Sequence, residues 1–425
     1  MKGNVVSVRL WGREIAKLAW QGGYKQGFGK LGSVISFHPD YISYGWDLDP
    51  IGPYSHSVYM VQQGLSDWCR AKEYEGLPRF LSGSLPDDWG NTVFSAWVDI
   101  RKLRHADITP VDKLAFIGKR GMGALEFAPA LYDGIPQDNI LDLEGLYELS
   151  RQIQESRLGL STNLGDNPGM GELMSVGTSA GGVHPKAIIA INWDTGEVKS
   201  GQSLLSEEFT QYILKFKDSE QWPTAEIELA YHKMARSCGI RMENCRLLSI
   251  EGKNHFLTER FDRKGETKLH TATLRALSGE VISYEQFMMT CRKMRLPYAD
   301  MEQVFRRAVF NYLSGVCDDH DKNSSFILSP DGRWRLAPAY DVTFTVNLLN
   351  KFIGDRHVLS FCGENRHITR DDILRFADEE DIRNAASILE EVQAAVGSFE
   401  AVAEEVGVEK PVRDLILAHI GSHGC

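Results

Sequence analysis

The sequence predicts an α+β protein in two lobes, β-rich first and α-helical last. Three observations carry this. Short apolar runs broken by turn residues dominate as far as Gly265. Beyond it the apolar residues recur at helical spacing. The length of 425 residues suits two or three domains. The expected divisions are a β-rich N-terminal subdomain over 1–140, a second β-rich lobe over 141–264 and a helical lobe over 265–425.

The elements follow in order. Val5-Val6-Ser7-Val8-Arg9-Leu10-Trp11 reads as a strand closed by Gly12. Leu85-Pro86-Asp87-Asp88-Trp89-Gly90 and the run from Phe116 to Leu125 read as tight loops in a packed subdomain. Gly118, Gly121 and Gly123 lack the spacing of a dinucleotide fingerprint. Residues 143–156 are expected to be helical, and 160–182 irregular and rich in Gly, Ser and Asn. Strands are expected at 187–193 and 211–217, with a turn at Asp194-Thr195-Gly196 between them. Pro223 opens a helix whose inner face is Ile227, Ala230, Tyr231, Met234 and Cys238. Strands return at 245–250 and 255–261. One later helix carries Val304, Phe305, Ala308, Val309 and Tyr312. Another carries Ile382, Ala385, Leu389, Val392 and Val396.

Composition excludes several classes. A hydrophobic fraction of 43% is enough for a sizeable core, so disorder of the bulk is excluded. Net charge is −11, from 47 basic and 58 acidic residues, which argues against a protein that coats nucleic acid by itself. Arg9 and Arg13 interrupt any signal-peptide core, and no run of about 18 apolar residues suggests a membrane span. The seven cysteines are scattered and form no Cys-x-x-Cys pair, which fits a reducing cytoplasm.

Four segments could carry chemistry. The most specific is Asp318-Asp319-His320-Asp321-Lys322-Asn323, followed by Tyr340-Asp341-Val342. Asp318 and Asn323 have the spacing of a catalytic aspartate and a metal-binding asparagine in a kinase catalytic loop. Asp341 can supply the second metal carboxylate, folded back by a hairpin through Phe326-Ile327-Leu328 and Trp334-Arg335-Leu336. Asp318, Asp319 and Asp321 are crowded, which favours a cation. The same residues also fit a polar surface loop of turns and caps. The second segment is the glycine loop from Ser175 to Lys186, whose amides can approach phosphate. It equally fits a flexible linker. Third is Lys215 in an apolar strand, which needs a partner if buried; Glu228 is expected, with Glu226 as the rival, and an edge-strand lysine facing solvent fits as well. Fourth is Thr258-Glu259-Arg260-Phe261-Asp262-Arg263, where the lobes meet and an adenine edge can be bound by backbone; by itself it also fits a charged strand end.

Glycine loop, lysine strand, glutamate helix, hinge, catalytic loop and metal aspartate stand in the order of a protein kinase. On these residues the sequence resembles the HipA family of bacterial serine/threonine kinase toxins. The likeness is carried by Ser179 to Lys186, Glu259-Arg260-Phe261-Asp262-Arg263, Asp318 to Asn323 and Tyr340-Asp341-Val342. Leu85-Pro86-Asp87-Asp88-Trp89-Gly90 and Gly123-Ala124-Leu125 resemble the family's N-terminal subdomain. The resemblance implies a kinase-like fold using ATP and Mg²⁺. It implies Asp318 as catalytic base, Asn323 and Asp341 as metal ligands, and Lys215 on phosphate. It places ATP against Gly181, Gly182, Val183, His184, Pro185 and Lys186, the hinge at Glu259, Arg260 and Phe261, and further contacts at His320 and Lys322. Ser179 matches an autophosphorylated serine.

The resemblance also implies a HipB-like helix-turn-helix antitoxin, operator DNA bound through that antitoxin, and a protein substrate such as an aminoacyl-tRNA synthetase. The chain departs from the family's common Asp-Arg-His-Ala-Lys-Asn by having Asp319 and Asp321, and His184-Pro185 replace a more polar loop. Two other functions fit the same residues: a weakly active corepressor scaffold in an antitoxin–DNA complex, and a kinase of a small-molecule or lipid acceptor.

Overall fold

The computed structural model describes residues 5–21, 32–56, 66–69, 72–132, 140–157, 169–177, 184–202, 205–347 and 354–420. The N-terminal sheet has five antiparallel strands, in the order Ser66–Cys69, Gly32–Phe37, Arg13–Gln21, Val5–Leu10, Leu125–Ala128. Alternation in Val5–Leu10 puts Val6, Val8 and Leu10 inside. Trp11 takes a left-handed backbone before Gly12 and ends the strand one residue earlier than expected.

Two expected loops are corrected. Asp87 caps helix Asp88–Ile100, its carboxylate accepting from the Gly90 amide at 2.5 Å. The Asp-Asp-Trp-Gly run is therefore a helix start, with Asp in its preferred capping position and a second acid in the positive first turn. The Phe116 run likewise begins as the end of helix Pro110–Ile117, which opens with a Thr109/Asp112 capping box. Turns follow it only from Gly118, before strand Leu125–Ala128.

The second sheet has the order Val198–Ser200, Lys186–Ile191, Thr210–Lys215, Lys253–Glu259, Cys245–Ile250, again antiparallel. Lys186–Ile191 is buried along its whole length, which accounts for its unbroken apolar run. Helix Leu143–Arg157 lies where periodicity puts it. Helix Met170–Val176 does not: it falls in the segment expected to be irregular, and forms because Leu173, Met174 and Val176 can be buried. Helix Thr224–Ser237 buries Ile227, Ala230, Tyr231 and Met234 as expected, with Cys238 at its C-cap.

After Gly265 the helices Tyr284–Lys293, Tyr298–Ser314 and Ala385–Gly397 dominate, with Ile382 lying before the last of them. The lobe is not wholly helical. Strand His270–Thr273 joins the expected hairpin Ser325–Leu328/Trp334–Leu336 in a three-stranded sheet. The N-terminal sheet shares one continuous core with this lobe, while helix Asp88–Ile100 packs its Trp89, Phe94 and Trp97 into the core of the second sheet. The first 130 residues thus brace both lobes. Among the described residues no helix is long and apolar enough to cross a membrane.

Candidate active site

Lys215 ends strand Thr210–Lys215 and stands directly opposite Lys186 on the neighbouring strand. Its Nζ donates to Glu228 Oε1 at 2.6 Å and also to Asp341 Oδ1. The rival Glu226 instead accepts from Asn254 Nδ2 at 2.9 Å. A strand, a helix and a distant loop therefore meet on one ammonium group. Burial works against the charge on Lys215, but Asp341 and Glu228 outweigh it and raise its pKa above the ordinary value. Burial likewise raises Glu228 despite Lys215. Burial would raise Asp341 too, yet Lys215 and Lys186 together hold it below the usual carboxylate range.

The loop acids hang on helix Tyr298–Ser314. Gly315 closes that helix in the left-handed conformation, where a Cβ would meet Val346 Cγ2 at 3.0 Å. The chain then turns through Val316 and Cys317 to Asp318. The Asp318 amide donates to Thr345 Oγ1 at 2.9 Å, and its carbonyl accepts from Asn323 Nδ2 at 2.9 Å. That bond uses the Asn323 amide nitrogen and leaves its amide oxygen as an acceptor. Asp341 has φ of 54°, a left-handed backbone uncommon for aspartate and a candidate functional strain. Its neighbour Tyr340 is pinned by hydroxyl contacts to Ser325 Oγ at 2.6 Å and the Lys322 carbonyl at 2.9 Å. Asp318, Asn323, Tyr340, Asp341 and Val342 line one cleft. His320 Nε2 lies 3.7 Å from Asp318 Oδ1, and Lys322 is exposed beside it.

The crowding of three acids is not relieved as expected. Asp318 is exposed, whereas Asp319 and Asp321 are each 6% exposed and point into the helical lobe. Asp321 Oδ2 accepts from the Val281 amide at 2.9 Å and Arg275 Nη1 at 3.2 Å. Asp319 meets His357, Tyr284 and two backbone amides. Each buried acid thus has its own donors, so crowding gives no argument for a metal. Among the described residues no three His, Cys, Asp or Glu are arranged to hold a metal. Of the residues lining the cleft, the Asp341 carboxylate and the Asn323 amide oxygen are the expected metal donors, a set that fits Mg²⁺ completed by phosphate and water.

Of the glycine loop, Ser179, Gly181, Gly182 and Val183 lie outside the described residues. His184 is exposed and its Nδ1 pairs with Asp218 Oδ2. The Pro185 carbonyl accepts from the Phe216 amide at 3.0 Å. Lys186 is buried; burial lowers its pKa, while Asp87 and Asp341 oppose the change. Its Nζ lies 3.7 Å from Asp87 Oδ2, and its carbonyl accepts from Trp89 Nε1 at 2.9 Å. Asp87 and Trp89 were missed as site neighbours. Their signal was the Asp-Asp-Trp-Gly run itself, an acid and an indole donor at a helix start.

At the lobe junction, Glu259 accepts from Asn244 Nδ2 at 2.9 Å, and Phe261 stacks on Tyr340 with ring centroids 5.8 Å apart. The Arg260 side chain turns inward at this junction. It is buried and pairs with Asp262 through two bonds of 2.8 and 2.7 Å. Its amide donates to the Gln211 carbonyl at 2.9 Å. Asp262 also pairs with Arg263 and accepts from the Gly123 amide at 2.6 Å, fastening the N-terminal subdomain to the junction.

Two lobes, a lysine bridging a helix glutamate and a loop aspartate, and a second loop acid on the same cleft define a protein of kinase-like fold. The comparisons with known proteins agree. The HipA-like C-terminal domain matches residues 178–401 and the HipA N-terminal domain matches residues 6–128, so the chain belongs to the HipA family. The HipA chain of the Shewanella oneidensis MR-1 complex of HipA, HipB and operator DNA has the same fold, with a TM-score of 0.67 at 16% identity over 98% of this chain and 95% of that one. A putative kinase of Haemophilus influenzae is 32% identical over 152 residues, covering 31% of this chain and 44% of the relative. The chain therefore spans less than half of that relative's length.

Proposed function

We propose that this chain is an ATP-dependent protein serine/threonine kinase, the toxin of a module with a HipB-like antitoxin. The contact of Lys215 with both Glu228 and Asp341, the latter on the cleft that Asp318 and Asn323 also line, is the observation that carries the reading. Few structural needs bring a half-buried lysine and a helix glutamate onto one acid of a cleft that holds a second, exposed acid, whereas phosphoryl transfer uses each of them.

The target hydroxyl oxygen attacks the γ-phosphorus of ATP. The new O–P bond forms as the bond to the β,γ-bridging oxygen breaks, and ADP leaves. Asp318 orients the hydroxyl and takes its proton. Lys215, held by Glu228, presents positive charge to the phosphates. Asn323 and Asp341 would hold Mg²⁺, which supplies charge neutralisation on the transferring phosphoryl group. Lys186, the loop before it and the backbone at Glu259–Phe261 are the proposed surroundings of the nucleotide. His320 and Lys322 are proposed as further contacts, and Ser179 as the autophosphorylation site. The HipB and operator DNA bound to the Shewanella oneidensis relative support a HipB-like partner, with DNA held through it.

Transfer of label from ATP to protein tests the reading. Wild type is expected to label a target, and Asp318→Gln to abolish labelling while leaving the melting temperature within a few degrees of wild type. Retained labelling in Asp318→Gln removes the base. If wild type transfers no label and ATP with Mg²⁺ leaves its melting point unchanged, a corepressor scaffold is the better description. Phosphoproteomics of cells expressing wild type beside Asp318→Gln identifies the target, with an aminoacyl-tRNA synthetase as the expected class.

A further inference from the structure

We propose that Asp319 and His357 form a latch that ties the segment following Asp341 to the catalytic loop and thereby positions Asp318. The proposal rests on the kinase reading above for its effect on rate, and on geometry alone for the latch.

Asp319 is buried and uses both carboxylate oxygens. Oδ1 accepts from the Val358 amide at 2.8 Å and the Leu359 amide at 3.2 Å. Oδ2 accepts from the Tyr284 hydroxyl at 2.7 Å and lies 3.3 Å from His357 Nδ1. The other ring nitrogen of His357 lies 3.9 Å from Cys317 Sγ. The His357 side chain is 4% exposed. Burial works against its charge, but the hydrogen bonds to Asp319 and Cys317 prevail and push it up to about 10.

The same segment makes two more ties. The Val358 amide also donates to the Cys317 carbonyl at 3.2 Å, and Thr345 Oγ1 receives the Asp318 amide at 2.9 Å. Asp318 is thus tied to the residues that follow Asp341 through its own amide and through the residue on each side. In many kinases such a segment is ordered when an added phosphate meets a loop arginine. Here the polarity is reversed: the acid stands on the catalytic loop and the cation on the segment. No added phosphate is needed to join them. Asp319, Tyr284 and Leu359 lie in the buried wall of the cleft, but both Asp319 carboxylate oxygens are taken by protein donors, so Asp319 and His357 act through Asp318, as positioning residues.

The experiment compares full-length wild type, Asp319→Asn, His357→Gln and the double variant. Hydrogen exchange of residues 354–361 is expected to speed up about 10-fold or more in each single variant. The kcat is expected to fall about 10- to 100-fold, with KM for ATP within about 2-fold of wild type. The double variant is expected to be no worse than the weaker single one, because one coupling is lost in each. Wild-type exchange and wild-type kcat in the single variants, or effects that multiply in the double variant, overturn the latch. If Asp319→Asn does not fold, His357→Gln decides alone, since it leaves Asp319 its Tyr284 hydroxyl and two amides. If wild type transfers no phosphate, the kinase reading fails, and exchange still judges the latch.

Discussion

Lys215 would be costly to bury without partners, and the chain supplies two from separate elements. Glu228→Gln keeps the shape but removes the helix charge. It is expected to lower kcat/KM for ATP by roughly 10- to 100-fold, read by steady-state kinetics, with circular dichroism unchanged. Asp262 faces the opposite problem, since two buried arginines depend on it. Asp262→Ala is expected to cost about 3–5 kcal/mol in denaturant unfolding, because the arginines remain buried and uncompensated. Sequence spacing was enough to nominate Asp318, Asn323, Lys215 and Asp341. It misjudged Asp319 and Asp321, because a string of acids does not show which way each side chain turns. Their partners Tyr284, His357, Arg275 and Val281 lie 35 to 46 residues away.

Helices carry the site by where they end. Helix Tyr298–Ser314 aims the loop carrying Asp318 only because Gly315 turns left-handed at its C-terminus. Gly315→Ala puts a methyl group into that turn and against Val346. It is expected to cost about 1–2 kcal/mol in backbone strain alone, read as a lowered unfolding midpoint. Helix Thr224–Ser237 carries Glu228 on the edge of a face whose centre is Ile227, fully buried. Ile227→Ala is expected to cost about 2–5 kcal/mol in chemical denaturation and to weaken the Lys215 contact with it. Periodicity found this helix because one face is buried and the other is wet. It failed on Met170–Val176, where one short turn-rich stretch gave too few repeats to register, and on His270–Thr273, a strand of four residues.

At the scale of the molecule, buried histidines set the pH range. Burial pushes His270 down to about 3 and His255 down to about 4. The unfolded chain takes up those protons first, so stability falls as pH drops below about 6.5. His357, pushed up to about 10, acts in the other direction: its contribution is full below about 6.5 and is lost as pH rises through 10. Unfolding free energy measured against pH is expected to peak near 6–7. His270→Phe is expected to flatten the acid limb, since among the described residues neither His270 ring nitrogen has a partner. The N-terminal subdomain grips both lobes at once. Trp89 and Gly123 reach the second sheet and the junction, while the Trp46 indole donates to the Pro330 carbonyl and the Trp334 indole to the Asp47 carbonyl. The sequence marked this subdomain off at residue 140 because its strands are local, and its shared core became visible only once they were packed.

Much of this protein was written in local pattern. Apolar alternation and helical spacing located the strands around Lys186, Lys215 and Glu259 and the helices after Pro223 and Pro297, because burial of one face is a property of neighbours in sequence. The spacing of Asp318, Asn323 and Asp341 nominated these loop residues for the same reason: a tight loop and a hairpin are local features that bring them near one another. Tertiary structure alone added Asp341 to the expected Lys215–Glu228 pair, buried the Arg260 side chain against Asp262, and gave Asp319 a histidine thirty-eight residues downstream. Those choices depend on which buried charge finds a partner across the fold, and a charge in sequence carries no record of who stands opposite it.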